Sequence, residues 1–290
     1  MDIDGRRFAL HQCGDPHGFP LFVHHGTPGS RLASALIDET ASKFGVRIIS
    51  FDRPGYGDAP LTPPSLASVG ADTLAVADAL GIDRFAVAGV SGGGPYALAT
   101  ALAGPGRVTS VAVVAGIGPI RVIKPHDPDD PEREYLARAD AGDVDGALAS
   151  FRSDLAADLG DIPAIGDDTA RIEAYLEGAP PNDFAWLDAE KKVWWGRDLR
   201  EATRRLDGYA RDNVAWGCDW DIDVTAVTVP VRLYYGDDDR LVPPSHGRWL
   251  AERIPGSVLM TIPGAGHGTA AFGRWDDILP ALVRDRGEPT

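Results

Sequence analysis

Short, almost wholly apolar runs recur along the chain and predict strands at residues 20–24, 46–51, 108–115, 231–235 and 258–262, with another run ending at Gly89. A further short strand is expected at residues 6–10, separated from the next by a Gly, Asp and Pro turn at 13–18. Between the strands, stretches rich in Ala and Leu with helical spacing predict helices at 32–44, 65–80, just past Gly94, 245–254 and 269–284. Gly81 stands where a C-cap would close the second of these. Strand alternating with helix, the strands apolar on both sides, implies a mostly parallel sheet covered by helices on each face, an α/β fold.

After Gly116 the rhythm changes. From about residue 119 to 224 no buried strand is evident, and polar and aromatic residues fall at helical spacing over 130–141, 143–159, 169–177 and 183–209. The chain therefore divides into a first core part (1–118), a helical cap inserted over the sheet (119–224) and a second core part (225–290). No internal repeat or low-complexity stretch is seen, and only Gly287 to Thr290 reads as untethered.

Composition narrows the function classes without changing this picture. Of 290 residues, 44% are hydrophobic and 24% charged, ordinary for a globular chain. A net charge of −15, from 43 acids against 28 bases, disfavours nucleic acid and anionic membrane as partners. No apolar run is long enough to cross a bilayer, and no apolar h-region follows Met1 to Arg7 as in a signal peptide. Cys13 and Cys218, far apart and in no metal or redox spacing, read as free thiols, and the expected compartment is the cytoplasm.

Chemistry concentrates at the strand ends. Gly89-Val90-Ser91-Gly92-Gly93, between an apolar strand and a helix opened by Pro95, has the G-x-S-x-G form of a nucleophile elbow. The glycines leave room where a Cβ would press on the adjoining strand or helix, and Ser91 would face a helix N-terminus that favours developing negative charge. A serine needs a base, and the base an orienting acid, in the chain order Ser, acid, His. His267, in Pro263-Gly-Ala-Gly-His-Gly268, follows the last strand and is the expected base. The acid belongs to the loop after strand 231–235, where Asp237, Asp238 and Asp239 stand in a row and chemistry alone does not choose among them.

Together with His25-Gly26-Thr27-Pro28-Gly29 and Asp52-Arg53-Pro54-Gly55-Tyr56-Gly57, these motifs resemble the α/β-hydrolase superfamily, in its capped esterase, haloperoxidase-like and proline-iminopeptidase-like branch. The resemblance covers the two core parts, and no motif is matched in the insertion. It implies that the acid is Asp239, four before the Pro of Gly236-Asp-Asp-Asp239-Arg-Leu-Val-Pro243. It also implies that Thr27 supplies one oxyanion-hole N–H and Gly92 the other, with His25 and Gly26 supporting that loop. Whether the Thr27 hydroxyl is a third donor stays open. Adjacent His24 and His25 point to opposite faces of a strand and are not expected to bind metal. Asp52-Arg53 reads as a loop-fixing ion pair, and His246 as a surface residue.

The insertion carries Phe151, Tyr175, Phe184, Trp186, Trp194, Trp195, Tyr209, Trp216 and Trp220. Most would pack the cap onto the core, and those facing Ser91 would form an apolar pocket for an acyl or aromatic group. The expectation is a serine hydrolase that cleaves a small carboxylic ester or related acyl compound through an acyl-enzyme, with no cofactor and no metal. One rival is an aminopeptidase of proline-iminopeptidase type, whose substrate amine would meet cap acids such as Glu173, Glu177 or Asp183. Another is a non-hydrolytic ligand-binding or tailoring protein of the same fold.

Overall fold

A small hairpin opens the structure, a computed structural model that describes residues 1–123 and 131–284. Strand β1 (Asp2–Ile3) pairs antiparallel with β2 (Arg6–Arg7) around Asp4 and Gly5, both at positive φ (49° and 76°). Asp-Gly is the dipeptide such a turn favours. The single strand expected at 6–10 is interrupted, since β2 ends at Arg7. The next strand, β3 (Leu10–Gly14), starts where that expectation ended and takes in part of the supposed turn.

β3, β4 (Phe19–His24), β5 (Val46–Phe51), β6 (Phe85–Val90), β7 (Val108–Val114), β8 (Val231–Gly236) and β9 (Val258–Ile262) form one sheet. Their spatial order is β3-β5-β4-β6-β7-β8-β9, with every neighbour parallel except β3 against β5. Successive residues of a strand face opposite sides. On β4, Phe22 therefore joins one core layer with Ile49, Val87 and Leu233, while Leu21 and Val23 join the other with Ile48, Ala86 and Ala112. Leu66–Ala79 and Gly94–Ala103 cover the first face, and Asp38–Lys43 with Trp275–Arg284 cover the second.

Local chemistry sets the helix ends. The Ser65 hydroxyl accepts the Ser68 N–H at 2.9 Å, and Gly81 ends that helix at φ +66°. The helices expected over 32–44 and 269–284 are each two pieces. A 3₁₀ stretch, Arg31–Ile37, precedes Asp38–Lys43, and Gly273 separates His267–Phe272 from Trp275–Arg284.

Between β7 and β8 the described residues hold helices and no strand. The main ones are Glu132–Asp140, Val144–Leu159, Asp168–Tyr175, Ala189–Thr203 and Asp207–Gly217. The long helix expected over 183–209 is broken. A 3₁₀ turn at Pro181–Phe184 comes first, Asp188 caps the next helix through the Lys191 N–H (2.8 Å), and Asp207 begins another. Asp130 and the tail from Gly287 to Thr290 lie outside the described residues. No helix among those described is long and apolar enough to cross a membrane. Cys13 and Cys218 are free cysteines.

Candidate active site

Ser91 follows β6 at φ +51°, a left-handed conformation that costs a non-glycine residue energy and marks sites held by their surroundings. The turn permits no bulk around it. A Cβ on Gly89 would lie 2.2 Å from the Gly93 carbonyl oxygen, and one on Gly93 would lie 2.3 Å from that of His24. Ser91–Gly93 forms a 3₁₀ turn that leads into Gly94–Ala103, with Pro95 in its first turn.

His267 opens the helix after β9. Its Nε2 lies 3.1 Å from Ser91 Oγ, and its Nδ1 lies 2.7 Å from Asp239 Oδ2. A carboxylate only accepts, so the ring proton sits on Nδ1 and Nε2 is left to accept from the serine. Asp239 is buried, and its Oδ1 accepts the N–H groups of Leu241 (2.9 Å) and Val242 (2.8 Å). Its neighbours do other work. Asp237 accepts the Gly264 N–H at 2.6 Å, and Asp238 is exposed beside Arg240. Geometry thus separates three aspartates that sequence chemistry left equivalent.

Thr27 and Gly92 lie close together beside Ser91: a Cβ on Gly92 would meet Thr27 Oγ1 at 2.6 Å, and one on Gly26 would meet Ser91 Cβ at 3.6 Å. The Thr27 N–H has no acceptor among the described residues. Gly92 lies in a first turn, whose N–H groups have no partner inside the helix. The Thr27 hydroxyl proton is already committed, donated to Asp212 Oδ2 at 2.9 Å while the oxygen accepts from Arg53 Nη2 at 2.9 Å. It has no hydrogen left to act as a third donor.

His25 is buried behind this loop. Its Nδ1 bonds the Gly26 carbonyl at 2.8 Å and its Nε2 accepts the Arg53 N–H at 3.3 Å, a neutral ring. Burial and the Arg53 charge hold it well below the ordinary histidine range. His24 turns into the core instead, with Nε2 3.0 Å from Thr100 Oγ1, and burial pushes it down to about 3. Among the described residues no group of three His, Cys, Asp or Glu could hold a metal.

Asp52 and Arg53 do not pair with each other. Asp52 accepts the Arg31 N–H (2.8 Å) and its guanidinium, whereas Arg53 pairs with Asp212 at 2.6 Å, both fully buried. Tyr56 and Tyr96 also donate to Asp212. Arg53 further donates to the carbonyls of His25 and Gly26, so one guanidinium ties the Thr27 loop to helix Asp207–Gly217. His246 is buried rather than on the surface, its Nδ1 accepting the Gly118 N–H at 2.9 Å.

The helical segment reaches the site at two more points. Asp183 accepts the Gly268 and Thr269 N–H groups, each at 2.8 Å, directly behind His267. Asp198 accepts the Ser30 N–H (2.8 Å) and hydroxyl (2.6 Å). Sequence reasoning missed Asp198, Asp212 and Tyr96 because their partners are remote: Asp198 lies 168 positions from Ser30 and Asp212 lies 185 from Thr27. An acid in a helical, aromatic-rich stretch carries no spacing signal for such contacts.

Ser91 and His267 line a cavity of about 260 Å³. Of the insertion's aromatics, Tyr175, Phe184 and Trp195 line it, joined by Leu176 and by Phe272 from the core. Phe151 packs within the helical segment and Trp216 in the main core. A larger recess of about 620 Å³, between residues 61–65 and the helices, includes neither Ser91 nor His267.

The family model described as alpha/beta hydrolase fold matches residues 20–273. The chain belongs to this family. Its members similar in sequence include a non-heme chloroperoxidase from Streptomyces lividans, 28% identical over 91% of each chain. A pimeloyl-[acyl-carrier protein] methyl ester esterase from Chromobacterium violaceum is 30% identical over 87% of this chain and 85% of that one. A probable proline iminopeptidase from Streptomyces coelicolor matches 40% of this chain and 39% of its own length at 35% identity. Among solved structures, an esterase from Exiguobacterium antarcticum has the same fold, with TM-score 0.68 and 20% identity over 98% of this chain and 96% of that chain.

Proposed function

We propose that this alpha/beta hydrolase is a serine esterase that cleaves a small carboxylic ester or related acyl compound. The observation that carries the reading is the unbroken line from Ser91 Oγ through His267 to Asp239, at 3.1 and 2.7 Å. Ser91 attacks the carbonyl carbon as His267 Nε2 takes its proton, and Asp239 holds the imidazolium that forms. The tetrahedral oxygen rests on the N–H groups of Thr27 and Gly92. His267 then protonates the departing alkoxide, and a water activated by the same ring releases the acid from Ser91. His25 and Gly26 act as supports for the oxyanion loop, and residues 119–224 act as a cap whose aromatic side chains hold an apolar substrate against Ser91.

The aminopeptidase reading has less support. Glu173 pairs with Lys192 at 2.6 Å, both Asp183 oxygens accept backbone N–H groups, and neither acid, nor Glu177, lines the cavity. The test compares a p-nitrophenyl acyl ester with a prolyl arylamide in wild type and Ser91→Ala. Ester turnover that falls at least ~10³-fold in the variant is expected. Preferred arylamide turnover would favour the aminopeptidase. Labelling of Ser91 by a fluorophosphonate with no turnover of any ester or amide would favour the non-hydrolytic reading.

A further inference from the structure

Apart from Ser91, His267 and Thr27, the cavity beside Ser91 is lined mostly by apolar side chains and glycines, with Tyr175 and Asp198 as the other polar groups. Asp198 is the sole acid among its lining residues, and no lysine or arginine lines it. Asp198 is only 2% exposed, and among the described residues no cation pairs with it. Both Ser30 donors bind Oδ1, and the Ala33 backbone N–H also bonds the carboxylate. These donors are all neutral, and a buried carboxylate without a counter-charge stays costly unless a further donor reaches it. Tyr175 lines the same cavity, and its hydroxyl is raised from the ordinary phenol range by burial and by the charge of Asp198. Burial likewise pushes Asp198 up to about 7, outweighing the Ser30 bonds.

We propose that Asp198 and Tyr175 together bind a hydroxyl group of the substrate, so that the preferred ester carries an O–H remote from its scissile carbonyl. The inference rests on the esterase reading and adds the substrate class. A hydroxyl donates one hydrogen and accepts through its lone pairs, which matches an acid and a phenol lining one cavity. An ammonium offers three donors and no acceptor, so it leaves the phenol hydrogen of Tyr175 without a partner. A plain alkyl chain offers neither group a partner, and a site built to bond a hydroxyl rejects such an analogue strongly.

The experiment measures kcat/KM for methyl esters matched in shape: 3-hydroxybutanoate against 3-methylbutanoate, and 4-hydroxyphenylacetate against 4-methylphenylacetate, with the amino counterparts as a third arm. Wild type is expected to favour the hydroxy member of at least one pair by ten-fold or more. Asp198→Asn and, separately, Tyr175→Phe are expected to bring that ratio close to one. Tyr175→Phe leaves the Ser30 bonds in place, so it tests the wall even where Asp198→Asn does not fold. Equal loss on both members of a pair, with the ratio kept, would mean a purely structural role and overturn the proposal. So would a wild-type preference for the methyl or amino member. Turnover that survives Ser91→Ala would instead sink the esterase reading.

Discussion

At residue scale, the decisive contrast is among three consecutive aspartates. Only Asp239 touches the imidazole and is fixed by two backbone N–H groups, whereas Asp237 pins a turn and Asp238 faces solvent. Asp239→Asn keeps the size of the side chain but not its charge, and misorients the tautomer that His267 needs. It is expected to lower kcat by about 10²- to 10⁴-fold, with Asp237→Asn and Asp238→Asn within a few-fold of wild type in the same assay. Severe loss in Asp237→Asn instead would show the acid to be misassigned. Ser91, Gly92 and His267 stood out as candidates because each lies in a local motif at a strand end, whereas Asp239 and Thr27 were singled out only through the family resemblance. The fate of the Thr27 hydroxyl could not be read from the sequence, because it is decided by Arg53 and Asp212.

At the scale of elements, the strands were the most legible. Val46–Phe51 and Val231–Gly236 fall where apolar runs placed them, since a parallel strand buried between helices has little choice of composition, and Val258–Ile262 falls there too although it is an edge strand with Val258 and Met260 exposed. Helix continuity was harder to read. Residues 183–209 keep helical spacing, yet Asp188 and Asp207 each begin a new helix and Pro181 opens a separate turn. Those breaks matter, because the turn Pro181–Phe184 carries Asp183 to the backbone behind His267. Without that carboxylate, the Gly268 and Thr269 N–H groups lose their acceptors and the His267 ring loses its support. Asp183→Ala is expected to lower kcat by roughly ten- to a hundred-fold, in keeping with the cost of a misplacement near 1 Å. Asp168→Asn, which breaks ion pairs within the helical segment, serves as the control and is expected to lower Tm without that loss of kcat. Equal kcat in the two variants would show that Asp183 only holds elements together.

At the scale of the whole molecule, Arg53 and Asp212 join the early strands to a helix 159 positions later, both at zero exposure. Breaking such a pair strands a buried charge, at a cost of about 3–5 kcal/mol. Asp212→Ala is therefore expected to lower Tm by on the order of 10 °C in a chain of this size, measured by calorimetry. Acid sensitivity follows from the same interior. Folded His24 titrates near 3, below its unfolded value of about 6.5, so the unfolded chain takes up the proton first. The stability this group contributes is whole above pH ~6.5 and is lost as pH falls toward 3, amounting to about 2 kcal/mol by pH 5. Urea midpoints are expected to fall between pH 7 and pH 5 in wild type and to fall less in His24→Gln; equal slopes would refute the assignment to His24.

Asp183, Asp198 and Asp212 each fasten a different stretch of the sheet's rim: the turn after β9, the chain following Gly29, and the loop that ends β4. The helical segment is therefore not interchangeable. A chimera that grafts a relative's corresponding segment onto this sheet would have to carry equivalent carboxylates at all three joints. A graft chosen only for the shape of its pocket would leave Ser30, Arg53 and the backbone behind His267 without the acceptors they have here.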